Sequence, residues 1–287
     1  MGQTIACANQ KGGVGKTTTV VNLATSLALS GQRTLVLDLD PQGNATSGFG
    51  IDRASLSTSL YDVLLGDTAL PEVIVPTQVG GVTLAPASVS LAGAEVELAT
   101  ATQRERRLAR VLGTAADEYD YLLIDCPPSL GLLTVNALTA AQSVLIPTQC
   151  EYYALEGLSQ LIATLNLVRD NLNPALAIKG VVLTMFDGRT NLSADVASEV
   201  RNHFGSSVFD TVIPRSVRLS EAPSFGLPIA LYRSDSRGAI AYAELAAELL
   251  RRDGRAAPPD LRPPFDMERD DDPGAHEREP LAVGARS

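Results

Sequence analysis

Lys11-Gly12-Gly13-Val14-Gly15-Lys16-Thr17-Thr18 sets two ammonium groups and two hydroxyls around three glycines. A short apolar run, Thr4 to Ala8, precedes it, and helical spacing from Lys16 to Leu29 follows. Glycines let successive backbone N–H groups converge on one point, and the helix start adds partial positive charge there. This is chemistry for phosphate. Lys16 is placed for β- and γ-phosphate oxygens, and Thr17 for a hydroxyl contact to Mg²⁺. The Gly12, Gly13, Val14 and Gly15 amides and Thr18 complete a candidate ATP site. The usual phosphate loop has glycine where this chain has Gln10, and an additional lysine follows at Lys11.

Two acidic stretches could serve the same site. Asp38-Leu39-Asp40-Pro41-Gln42-Gly43-Asn44 ends a second apolar strand, and a carboxylate there could orient water or hold Mg²⁺ through water. Asp before Pro-x-Gly is also ordinary turn chemistry. Leu122-Leu123-Ile124-Asp125 is an apolar run ending in an acid, which makes Asp125 a candidate Mg²⁺ ligand. Cys126 has no evident base nearby and reads as a packed thiol. Of 23 basic residues 20 are arginine, so two of only three lysines (Lys11, Lys16, Lys179) fall in the phosphate loop. A compact ammonium on a flexible stem fits inside a glycine loop better than a planar guanidinium.

Short apolar strands must carry these loops. They read as Thr4–Ala8, Thr34–Leu39, Val82–Ala85, Tyr121–Ile124, Ser143–Ile146, Gly180–Thr184 and Val208–Ile213. Helical patterns lie at 16–29, 91–117, 131–141, 154–171, 193–204 and 239–251. Continuous apolar strands alternating with helices predict a doubly wound α/β fold, a mostly parallel sheet of seven to eight strands flanked by helices. Residues 1–252 form the ATPase domain in this reading. Residues 253–287, rich in proline and acids, read as a disordered tail.

The 287 residues carry a formal net charge of −10, which argues against coating nucleic acid or anionic lipid over the whole surface. Three scattered cysteines suit a reducing compartment, two histidines argue against a histidine metal site, and no apolar run is long enough to span a bilayer.

The loop resembles the deviant Walker A motif of the ParA/MinD branch of P-loop ATPases. The resemblance covers roughly residues 2–250. It includes CPPSLGLLTVNAL (126–138), QCEYYALEGLSQ (149–160), LTMFDGRTNL (183–192) and TVIPRSVRLSEAP (211–223), which look like the ParA/Soj partitioning subgroup. The resemblance implies an Mg²⁺-dependent ATP hydrolase that forms an ATP-bound homodimer. Lys11 would cross to the partner's nucleotide, Asp40 would orient the attacking water, Asp38 would support the Mg²⁺ shell, and Pro214 would lie near adenine. It further implies non-specific DNA binding through Arg189 and Arg218, with Arg215 as a neighbour, and release after ParB-type stimulation. The expected location is cytoplasmic and nucleoid-associated, without a membrane.

Leu227 stands where relatives commonly carry lysine, which would remove one basic contact. No helix-turn-helix segment precedes the first strand, so operator binding is not expected. Two alternatives share much of the chemistry: a positioning ATPase with a protein cargo, and a MinD-like membrane-cycling regulator of division.

Overall fold

The computed structural model describes residues 2–66, 68–113, 117–152 and 154–257. The tail expected to be disordered falls, from residue 258 onward, outside the described residues. Eight strands form one sheet: β1 Gln3–Cys7, β2 Thr34–Asp38, β3 Val75–Pro76, β4 Val82–Ala85, β5 Tyr121–Asp125, β6 Ser143–Gln149, β7 Ala177–Phe186 and β8 Val208–Pro214. Their order is β3-β4-β2-β5-β1-β6-β7-β8, parallel throughout except for the β3–β4 pair.

Alternate residues of each strand serve opposite faces. In β2, Leu35 and Leu37 join one core, while Val36 joins the other. Helices Lys16–Leu29 and Arg237–Arg252 cover one face, through Val20, Leu23, Leu27, Tyr242, Leu245 and Leu249. Helices Leu132–Ala140, Ala154–Asn171 and Asn191–Phe204 lie on the other, with the shorter Leu60–Leu65, Leu91–Leu98 and Arg107–Leu112. The result is the three-layer α/β sandwich that the strand and helix patterns predict.

One local expectation fails, and one short strand goes unmarked in the sequence. The continuous helix expected over 91–117 ends at Leu98, and a 3₁₀ turn at Arg104–Arg106 leads into the next helix. Gln103 between them adopts a left-handed conformation (φ 51°), which no helix tolerates. The sequence also gave no sign of β3. It is two residues long, and Pro76 has no N–H to offer a further strand, so it closes that edge of the sheet.

The other edge is closed by a side chain. Glu248 is 5% exposed and accepts hydrogen bonds from the Asp210 and Thr211 amides of β8, each 2.9 Å. Burial raises its carboxyl pKa, but these amides and Arg252 outweigh that and leave it below the usual range. Arg252 donates to Glu248 and to the Val208 carbonyl, both at 2.7 Å, with its guanidinium over the Phe209 ring. Glu248→Ala would leave two amides and a cation without partners. Its urea midpoint should therefore correspond to a loss of about 3 kcal/mol, and an unchanged midpoint would contradict this account.

Lys179, without a role in the sequence reading, lies inside β7. It forms a largely buried ion pair with Asp253, which also accepts from the Tyr121 hydroxyl (2.8 Å). Arg255 reaches Gln32 (2.7 Å) and Asp120 (3.5 Å). Residues 253–255, placed with the tail by composition, therefore make contacts with the domain.

Candidate functional site

The phosphate loop leaves the carboxyl end of β1, near the centre of the sheet. Gly13 (φ 73°) and Gly15 (φ 88°) adopt left-handed conformations, and Gly15 caps the helix that begins at Lys16. A Cβ added at Gly13 would meet no atom within 4 Å, so the requirement for glycine there is conformational rather than spatial. Flanking strands pin the loop. The Thr184 hydroxyl donates to the Val14 carbonyl (2.8 Å), Asn9 donates to the Pro147 carbonyl (2.7 Å), and the Lys11 amide donates to Asn9 Oδ1 (3.1 Å). Lys16 is 6% exposed and folds back so that Nζ donates to the Lys11 carbonyl at 3.4 Å.

Strand register brings the acids to this loop. Cys7, the last residue of β1, pairs with Asp125 of β5, and Asp125 pairs with Asp38 of β2. Three adjacent strand ends thus present the phosphate loop, Asp125 and the Asp38–Asp40 turn side by side. Asp125 is completely buried, and neither carboxylate oxygen has a hydrogen-bond partner within ordinary limits. Burial and then the Asp38 charge push its carboxyl well above the usual range. The nearby Thr17 hydroxyl and Lys16 ammonium oppose that shift only in part.

Asp38 is equally buried but fully engaged. It accepts from the Thr46 amide (2.8 Å), the Thr46 hydroxyl (2.7 Å) and the Asp40 amide (3.3 Å). Burial raises its carboxyl to about 6, and the Thr46 bonds limit the rise. Asp40 accepts from the Gln42 amide (2.9 Å). The turn beyond it is clasped by Arg53, which donates to the Pro41 carbonyl (3.0 Å) and to the Gln42 carbonyl.

This donor set suits Mg²⁺ bound with a nucleotide. Among the described residues no group of three or more His, Cys, Asp or Glu forms a protein-only metal cage. Mg²⁺ characteristically takes one or two carboxylates and leaves the remaining positions to phosphate and water. Two orphaned buried oxygens on Asp125, beside the Thr17 hydroxyl, meet that need. Asp38 has less free capacity and fits a supporting role through water.

Lys11 is half-exposed and pairs with Glu151 of its own chain at 3.1 Å. Neither Glu151 nor Arg53 was singled out by the sequence, because each contact joins loops distant in the chain without a local motif. The cysteines are inert. Burial raises the thiols of Cys7 and Cys126, and that of Cys150 to about 11. Pro214 ends β8, three strands out from β1 and so roughly 14 Å along the same sheet edge.

The three arginines named from the sequence lie beyond the carboxyl ends of β7 and β8. Arg189 pairs with Asp187 (2.7 Å), which also feels the charge of Arg215. Arg218 pairs with Glu221 (2.7 Å). No helix among the described residues is long and apolar enough to cross a membrane.

Residues 2–178 match a protein family described as an AAA domain. The chain is 57% identical over 249 residues to the sporulation initiation inhibitor protein Soj of Bacillus subtilis, covering 87% of this chain and 98% of that protein. It is 54% identical over 258 residues to the chromosome partitioning protein ParA of Myxococcus xanthus, covering 90% and 91%. Among solved structures it resembles a Mycobacterium smegmatis chain described as cobyrinic acid a,c-diamide synthase with bound ATP analog and magnesium. That match has 41% identity and a TM-score of 0.78, covering 90% of this chain and 99% of that one.

Proposed function

The chain belongs to the Soj/ParA family of chromosome-partitioning ATPases, and from that premise we propose that it is an Mg²⁺-dependent ATP hydrolase whose ATP-bound homodimer binds DNA without sequence preference. A ParB-type partner would stimulate hydrolysis and release it. The observation that carries the nucleotide half is Asp125, buried with both oxygens unsatisfied beside Lys16 and a left-handed glycine loop. The partitioning half rests on the high identity to Soj and ParA over nearly their whole length, which exceeds the identity to the mycobacterial chain.

In this reading the amides of Gly12–Gly15, with Lys16, Thr17 and Thr18, hold the phosphates. Thr17 and Asp125 would hold Mg²⁺, with Asp38 and Asp40 supporting it through water. Bound there, the ion would neutralise charge on the phosphate oxygens. Asp40 orients the water that attacks the γ-phosphorus as the bond to the ADP oxygen breaks. The Arg53 clasp on Pro41 and Gln42 positions that carboxylate. Lys11 leaves Glu151 and reaches the partner subunit's nucleotide. A half-exposed ion pair is worth about 0–1 kcal/mol, so its exchange for a triphosphate is only weakly opposed. Pro214 flanks adenine. Arg189, Arg215 and Arg218 face DNA phosphate, and the location that follows is the nucleoid.

The reading is tested by measuring ATP turnover with DNA, with ParB, with both and with neither. Slow basal turnover that rises only when both are present is the expected result. Liposome binding driven by ATP, without DNA binding, would favour a membrane-cycling regulator. Equal turnover in all four mixtures would exclude the partner-stimulated cycle.

A further inference from the structure

Arg215 and Arg218 do not stand alone. They line an open cavity of about 420 Å³ together with Arg233 and Arg237, Ser216 and Ser236, and a single acid, Asp235. Three segments converge to build it: the exit of β8, the helix Val217–Glu221, and the turn between helices Ile229–Tyr232 and Arg237–Arg252.

The pairing of these arginines differs from what the motifs suggest. Arg189 and Arg218, named by resemblance, are each held by a carboxylate. Among the described residues the guanidinium groups of Arg215, Arg233 and Arg237 make no hydrogen bond or ion pair, and all three are exposed. A ligand can take them without first breaking a hydrogen bond or ion pair, although Asp187 feels the charge of Arg215 and Glu221 that of Arg233.

Local stability gives no reason for this placement. Arg237 is the first residue of a 16-residue helix with no acid in its first turn, capped by Ser236. A cation at a helix start opposes the helix dipole, so Arg237 there costs stability. The dipole and the converging guanidiniums instead add up to one field that attracts an anion.

We infer that this cavity is the main phosphate-contacting centre for duplex DNA, with Arg233 and Arg237 as contacts beyond those the motifs name. The inference rests on the DNA-binding reading above. It also offers a compensation for Leu227, which is half-buried and contributes no charge. The contact is to backbone phosphate and carries no sequence preference, because guanidinium groups on a protein cavity wall reach phosphate oxygens without entering a groove.

The test uses the ATP-loaded full chain and the anisotropy of a labelled random duplex of about 24 base pairs, titrated from about 50 to 200 mM salt. Each phosphate contact adds about 0.9 to the log–log salt slope. Removing two arginines from each of two subunits by Arg233→Ala with Arg237→Ala should lower the slope by about 3–4 and weaken binding at least about tenfold. Arg233→Lys with Arg237→Lys should keep most of the slope, and it keeps the test open should the alanine pair fail to fold by its thermal melt.

Wild-type binding with an unchanged slope in a folded alanine variant overturns the cavity while leaving DNA binding intact. Absence of duplex binding by the wild-type chain at any salt overturns the DNA-binding reading and this inference with it. Inorganic phosphate at constant ionic strength should not compete. Full competition would assign the cavity to free phosphate instead of DNA.

Discussion

Mixing Lys11→Ala protein with Asp40→Ala protein should restore ATP turnover that neither variant has alone. Each single variant loses an interaction made only during phosphoryl transfer. A cation supplied to the transferring oxygens is worth about 10³–10⁵ in rate, so Lys11→Ala should fall by at least about 10³-fold while ATP affinity stays within tenfold. In a mixed dimer, the site on the Lys11→Ala subunit has its own Asp40 and receives Lys11 from its partner. The other site lacks both. Random pairing makes half the dimers mixed, with one of two sites complete, so about a quarter of wild-type turnover should return. A lysine acting within its own subunit predicts no recovery. The ion pair between Lys11 and Glu151 makes the outcome informative, because it shows the lysine occupied within its own chain before any partner arrives.

Asp125→Asn should make the nucleotide-free protein more stable and lose the thermal shift produced by ATP with Mg²⁺. A buried carboxylate with no hydrogen bond of ordinary geometry and only the nearby Thr17 hydroxyl and Lys16 ammonium to offset it, next to a second buried carboxylate, is a site kept at the expense of stability. Neutralising it should raise stability by about 1–4 kcal/mol, or several degrees in Tm. The sign with pH follows from the raised pKa. The folded state holds protons that the unfolded chain releases above about pH 4, so wild-type stability falls as pH rises from there toward neutrality. The advantage of Asp125→Asn is therefore largest near pH 7 and shrinks as pH falls toward 4. Asp38, raised to about 6, adds a smaller contribution of the same sign. A lower Tm for Asp125→Asn at pH 7 would show that the carboxylate has a structural partner after all, and would remove the main argument for Mg²⁺ at this position.

The fold class was readable because its determinants are local. Seven of the eight strands announce themselves as apolar runs, and Lys16–Leu29 and Arg237–Arg252 as helical patterns. The phosphate loop is a contiguous string whose glycines and lysine have one chemical use together. Elements set by a single backbone angle or a long-range pairing were not readable. The break after Leu98 depends on Gln103, and the two-residue β3 exists only because β4 is there to pair with it.

For the site, the sequence by itself determined which groups are present: the glycine amides, Lys11, Lys16, Thr17 and three acids at strand ends. The residues' own pattern did not divide the work between Asp38 and Asp40; that division came with the family resemblance. Strand register placed Asp38 and Asp125 side by side, and only the packed surroundings left one with three donors and the other with none in ordinary hydrogen-bond geometry, the Thr17 hydroxyl lying nearby. The same holds for the arginines. Their number and rough clustering are sequence facts, but which are free is a question of where acids lie in space. Asp187 and Glu221 occupy Arg189 and Arg218, and three chain segments must fold together before Arg215, Arg233 and Arg237 face one cavity. Chemistry that depends on residue type is written along the chain, while availability depends on neighbours that only tertiary packing supplies.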